Sequence, residues 1–163
     1  MRATFRVCLA VLLLALPAAG CAPDVDLTKG LQIQDVSTGW FDAGIVNGQN
    51  KLVPAIAFKL KNVSAQKLTV IQVNVLFKRI DNPAEWGSGF LTVVGSSGLA
   101  PGATTDRLIV KSNLGYTGSD QTRQEMLQNS HFVDARAEFS AKYGSVQWAR
   151  LAEFPITRTL ITD

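Results

Sequence analysis

With 163 residues, 47% of them hydrophobic, the chain is long enough for one domain with a proper core. Its net charge of +3 includes Arg2 and Arg6, and setting these aside leaves 14 basic against 13 acidic residues in a nearly neutral body. Charges are dispersed with no basic block, which argues against a nucleic-acid partner.

The first element is an export signal. Arg2 and Arg6 precede an uncharged run from Val7 to Leu16, and the small residues Ala18, Ala19 and Gly20 lead to Cys21. The apolar run is roughly ten residues, against about 20 for a helix that crosses a bilayer. It is too short to span. Residues 18 to 21 resemble the lipobox of bacterial lipoproteins, with Ala18 where that family usually has Leu. The resemblance implies cleavage between Gly20 and Cys21 and several acyl chains around a modified Cys21. Ordinary cleavage nearby, with Cys21 removed or left as a lone thiol, is the alternative. Only Cys8 and Cys21 exist, and Cys8 lies in the segment to be removed, so the mature chain forms no internal disulfide. In the same family an Asp after the cysteine favours inner-membrane retention. Ala22 stands there, which implies the outer membrane.

Residues 21 to 30 read as the lipidated cysteine and a flexible tether, able to reach roughly 30 Å when extended. A single domain over 31–163 follows. Its first strand is expected at 31–36. Ile56, Phe58 and Leu60 mark the next, which Pro54 confines to an early or edge position. After "NVSAQK", Ile71, Val73, Val75 and Phe77 form the inward face of a third strand. "DNPAEWGSG" reads as a loop, and 90–94 as a short strand. Pro101 and Gly102 suit the centre of a type II turn, and 108–111 is again extended. Residues 113–130 lack alternation. Thr122 and Glu125 resemble a capping box that opens a helix over 122–129. From Val133 to Tyr143 apolar and polar residues alternate strictly, then Gly144 and Ser145 make a two-residue turn into a partner strand, giving a hairpin over 132–154.

About seven strands and one short helix predict an all-β fold, an antiparallel β-sandwich. "FKLKNVS", "VIQVNVLFKR" and "GLAPGATT", spread over residues 52 to 112, resemble the small immunoglobulin-like domains of secreted bacterial proteins, in particular the FxLYD-like group. "LFKRID" stands where that group has its Phe-x-Leu-Tyr-Asp string. The resemblance implies an immunoglobulin-like sandwich and carries no catalytic residue.

The search for chemistry returns little. His131 is the sole histidine, and with Asp134 it has no recognisable nucleophile to serve. A solvated or loop-anchoring histidine is the expectation. Asp24, Asp26 and Asp35 are scattered, "GSSGLAPG" lacks the Lys-Ser/Thr of a phosphate loop, and "GYTGSD" reads more readily as a turn than as an anion nest. No catalytic residue, metal ligand or cofactor is expected. Trp40 and Trp148 are assigned to the core. Trp86, in its loop, joins Tyr116 and Met126 as the candidate contact surface. The expected function is non-enzymatic: a lipid-anchored envelope protein, on the outer membrane facing the periplasm, that binds another protein through sheet edges and through 81–89 and 113–130. The alternative is capture of a small molecule or glycan between Trp86 and 113–130.

Overall fold

The computed structural model describes residues 24–162; the export signal, Gly20 and Cys21 lie outside them. A one-turn helix α1 (Leu27–Gly30) comes first, with Asp26 as its N-cap. The strands are β1 (Leu31–Val46), β2 (Gln49–Asn62), β3 (Ile71–Arg79), β4 (Glu85–Val94), β5 (Leu108–Lys111), β6 (Tyr116–Gly118), β7 (Ala135–Tyr143), β8 (Ala149–Pro155) and β9 (Leu160–Ile161). Helix α2 (Arg123–Gln128) lies between β6 and β7. No described helix is long and apolar enough to cross a membrane.

The expected β-sandwich is what the chain forms, with nine strands rather than about seven. One sheet has the order β5-β2-β1-β9, with β6 also on β2; the other runs β4-β3-β7-β8. All pairs are antiparallel except β1 with β9, where Trp40 and Phe41 meet Leu160 and Ile161 in parallel. The core lies between the sheets. Ile56, Phe58 and Leu60 of β2 face Val73, Val75 and Phe77 of β3 and Ala137, Phe139 and Ala141 of β7, all fully buried. Phe58 and Phe139 meet edge to face at 4.8 Å, a preferred aromatic geometry.

Four expectations need correction. β1 and β2 are long strands joined by Asn47 and Gly48, both at positive φ (52° and 77°), the pattern of a type I′ turn. Pro54 is not at an edge. It sits in central β2, where its carbonyl accepts from Ser112 N at 2.9 Å, so its missing N–H faces the gap between β6 and β5. Residues 85–89 belong to β4, and Gly87 and Gly89 serve close approach. A Cβ on Gly89 would collide with Val110 and come within 2.6 Å of Lys111 O in the opposite sheet. The tether is free over less than its expected length, since Leu27 is buried and Val25 N donates to Tyr143 Oη at 2.5 Å.

Two expected turns form, and the second carries a fifth correction. Ala103 N donates to Ala100 O at 3.1 Å around Pro101 and Gly102, the latter at φ 76°. Gly144 opens a turn closed by Val146 N on Tyr143 O at 3.1 Å, although β8 resumes only at Ala149. Trp148 is therefore out of the strand and 42% exposed rather than in the core. β1 is irregular at two places, between Gln34 and Ser37 and between Asp42 and Ile45. Asp35 (φ 50°) and Gly44 (φ 81°) occupy them.

The strand ends define two poles about 30 Å apart, the length of a nine-residue strand. Leu31, Asn62, Ile71, Val94 and Tyr143 end their strands at the near pole, where Val25 enters. The turn at Asn47, the β3–β4 loop and α2 lie at the far pole. Asn62 fixes the near pole. Its buried amide donates to Gln66 O (2.7 Å) and Leu99 O (2.9 Å) and accepts from Ser64 N (3.0 Å) and Ser64 Oγ (2.7 Å). Asn62→Ala removes these bonds and takes the acceptor from Ser64 N, while Leu99 O keeps Leu68 N and Gln66 O keeps Ser64 Oγ; a stability loss of about 1–3 kcal/mol is expected in urea titrations.

The outer face of the second sheet carries ions. Glu138 lies 2.9 Å from Lys78 and 3.6 Å from Arg150. The hydrogen bond from Lys78 is the main cause that holds its carboxyl below the ordinary 4.5, with burial opposing. A depressed folded value makes its stabilisation present above that pH and lost as pH falls through the depressed value. Urea midpoints are expected to drop below 4.5 and to drop less in Glu138→Gln.

Candidate functional site

The far pole holds an aromatic cluster. Trp40 from β1 is fully buried, and around it stand Phe132 (ring centroids 4.5 Å apart), Tyr116 (5.6 Å) and Trp86 (6.1 Å). Tyr116 bridges its neighbours, at 5.1 Å from Trp86 and 4.6 Å from Phe132. Its hydroxyl accepts from Val133 N at 3.1 Å. Arg79 lies over Trp86 and Arg158 over Phe132, each 5.2 Å from the ring centroid. Trp40 Nε1 is buried with no hydrogen-bond partner among the described residues, so ring contacts alone hold that indole.

Helix α2 closes the pole. Its capping box is complete: Glu125 N donates to Thr122 Oγ1 at 3.2 Å and Thr122 N to Glu125 Oε2 at 2.7 Å. The backbone bond from Thr122 is the chief cause that keeps the Glu125 carboxyl low. Met126 and Leu127 point inward, and Arg123 reaches Asp42 of β1 at 2.9 Å. Arg158 fastens the other end. It grips both oxygens of Asp134 (2.6 and 3.2 Å) and donates to Phe132 O (2.8 Å) and Leu127 O (3.4 Å). The hydrogen bond to Asp134 pushes the guanidinium further toward its charged form.

Two open clefts flank α2. One, of 260 Å³, has Tyr116 and Phe132 as its floor and Gln121, Asn129 and His131 around them. The other, of 590 Å³, runs between Leu127 and Gln128 on the helix and Arg158 and Leu160 on the C-terminal segment. Trp86 lines neither. It borders a separate hollow with Arg79 and Glu85.

The three candidate contact residues therefore separate. Met126 is only 3% exposed and is a core residue, because the helix face it occupies packs against the sandwich. Tyr116 and Trp86 are half-buried and in contact with each other, and no cleft joins Trp86 to 113–130. His131 is exposed, and Asp134 is engaged by Arg158 rather than by His131. "GYTGSD" contributes β6 to the sheet. Asp35 pairs with Lys59 at 2.8 Å, and no group of three or more His, Cys, Asp or Glu able to hold a metal occurs among the described residues.

Phe132 and Arg158 are the parts the sequence reading missed. Phe132 is out of phase with the alternation of β7, and the only local sign of it was a large aromatic stranded between a helix and a strand. Arg158 gives no local sign, since its partner Asp134 is 24 residues away.

No protein-family model and no curated protein matches the sequence. Among solved structures, the chain is similar to a Northeast Structural Genomics Consortium target determined by X-ray crystallography. The identity is 11%, with 80% of this chain and 88% of that chain covered and a TM-score of 0.45.

Arg158→Ala removes the clamp on α2 and on the 132–134 loop. Faster amide exchange across 123–128 is expected, with a stability loss of about 1–2 kcal/mol after allowance for solvent exposure.

Proposed function

We propose that the protein is a lipid-anchored envelope lipoprotein, acylated at Cys21 on the outer membrane and facing the periplasm, that binds another protein without making or breaking covalent bonds. The contact surface is the far pole. What carries the reading is polarity: the chain enters at Val25, tied to Tyr143, and the exposed apolar side chains Ile45, Val46, Ile80 and Leu160 gather at the opposite end around α2. Ile45 is 70% exposed at a hairpin tip, where an apolar side chain gains nothing from the fold itself. A sandwich held by one end presents its other end to whatever it binds.

A second reading, capture of a small molecule or glycan, draws on the cleft floored by Tyr116 and Phe132 with amide side chains at its rim. Its volume of 260 Å³ is below the usual range for a ligand pocket, the 590 Å³ cleft is within that range but has no aromatic in its lining, and the protein-binding reading is preferred.

Photo-crosslinking side chains at positions 45, 80 and 160, with position 61 as the near-pole control, test the reading in native membranes. A single stoichiometric adduct from the far-pole positions is expected. Adducts only from position 61, or recovery of an unmodified Cys21 by mass spectrometry, would contradict it.

A further inference from the structure

We infer that the near-pole end of the outer face of the β4-β3-β7-β8 sheet is a membrane-contact surface, in which Trp148, with Phe90 packed against it, and Val70 enter the headgroup region of the bilayer and Lys142 meets its anionic phosphates. The inference rests on the lipid-anchoring reading above and adds an orientation to it. Val25 is four positions after Cys21, a reach of at most about 14 Å. Val25 is fixed by its N–H on Tyr143 Oη at 2.5 Å, and Tyr143 ends the strand that turns through Gly144 into the loop bearing Trp148. An anchor this short keeps that loop at the interface.

What the loop carries suits the interface. Trp148 is 42% and Phe90 58% exposed, and their rings meet edge to face at 6.3 Å on the outer surface of the β4-β3-β7-β8 sheet. Two large aromatics side by side in water stabilise little, whereas indole and phenyl groups at headgroup depth are favourable. Lys142 Nζ lies 5.2 Å from the Trp148 ring, an ammonium beside an indole at the level where phosphates would be met. Val70 is exposed at the same turn, its carbonyl accepting from Gly144 N at 3.2 Å, with φ 51°, a backbone region that β-branched residues rarely enter. Of the acidic groups toward this pole, Asp24 and Asp26 sit on the entering chain, and exposed Asp106 follows Thr105, whose N–H donates to Leu60 O in the other sheet. Asp26 is occupied by Thr28 N (3.0 Å) and Lys29 (3.5 Å), which leaves Asp24 facing solvent.

The three tryptophans allow a direct test, because Trp40 is buried, Trp86 belongs to the far pole and Trp148 to the near one. The full acylated chain is reconstituted into phosphatidylethanolamine and phosphatidylglycerol vesicles brominated high on the acyl chain, and flotation and fluorescence are read in one sample. The expected result is flotation with a loss of tryptophan emission relative to unbrominated vesicles, a loss kept by Trp86→Phe and abolished by Trp148→Phe. Trp40 emission reports an intact core in every variant. Flotation without that loss, or with a loss that survives Trp148→Phe, overturns the contact and leaves the anchor standing. Failure to float overturns the anchor and the contact with it.

Discussion

Burial of three alternating strand faces against one another is the constraint on which the rest depends. Every second residue of β2, β3 and β7 is withdrawn from water, and the Phe58 and Phe139 rings interlock across the middle of the sandwich. At about 25 cal/mol per Å² of apolar surface, a handful of such side chains outweighs any single polar contact elsewhere in the molecule. Because successive strands run back and forth through that slab, their connections collect at two ends. Each end can then be built by local chemistry without disturbing the core.

The two ends are built differently. At the near end a polar hub does the work: Asn62 satisfies groups from two segments, 64–66 and Leu99, and α1 folds Val25 and Leu27 back onto the sandwich. At the far end an aromatic cluster fills the opening, and Arg158 holds the helix and loop that cover it. Exposed apolar side chains occur toward both ends, Trp148 toward one and Ile45 and Ile80 at the other, with Phe90 partway along the second sheet against Trp148. The division is what lends each end a separate partner in the reading given above: lipid at one and protein at the other.

Legibility in the sequence followed how local each determinant is. β3 and β7 could be read because each keeps period two between an apolar and a polar face. The α2 cap could be read because Thr122 and Glu125 satisfy one another within a single turn. β2 was truncated because Ala55 and Ala57 are also buried, under Phe41, Ile109 and Ile161 on the outer face, which erases the alternation. β1 was read only over 31–36 because its two irregularities reverse the phase, and with its second half went the significance of Asn47-Gly48. Gly87 and Gly89 looked like turn formers, yet their absent side chains make room for the other sheet. Met126 and Trp148 failed for opposite reasons. One lies on a helix face whose covering partner is remote in sequence, and the other follows a turn that interrupts the phase used to place it.

The irregularities of β1 bear on crowding. Among the described residues its outer flank is paired by β9 at Trp40 and Phe41, with Thr157 Oγ1 donating to Thr38 O beside them, and the rest of a sixteen-residue strand has no strand partner on that side. A straight ribbon of that length would invite another copy to zip onto it and start a fibre. The kinks at Asp35 and Gly44 cut it into short lengths of differing twist, and each is too brief to template a lasting ladder. Copies crowded together, as the proposed anchoring would crowd them, can thus jostle one another and remain separate molecules.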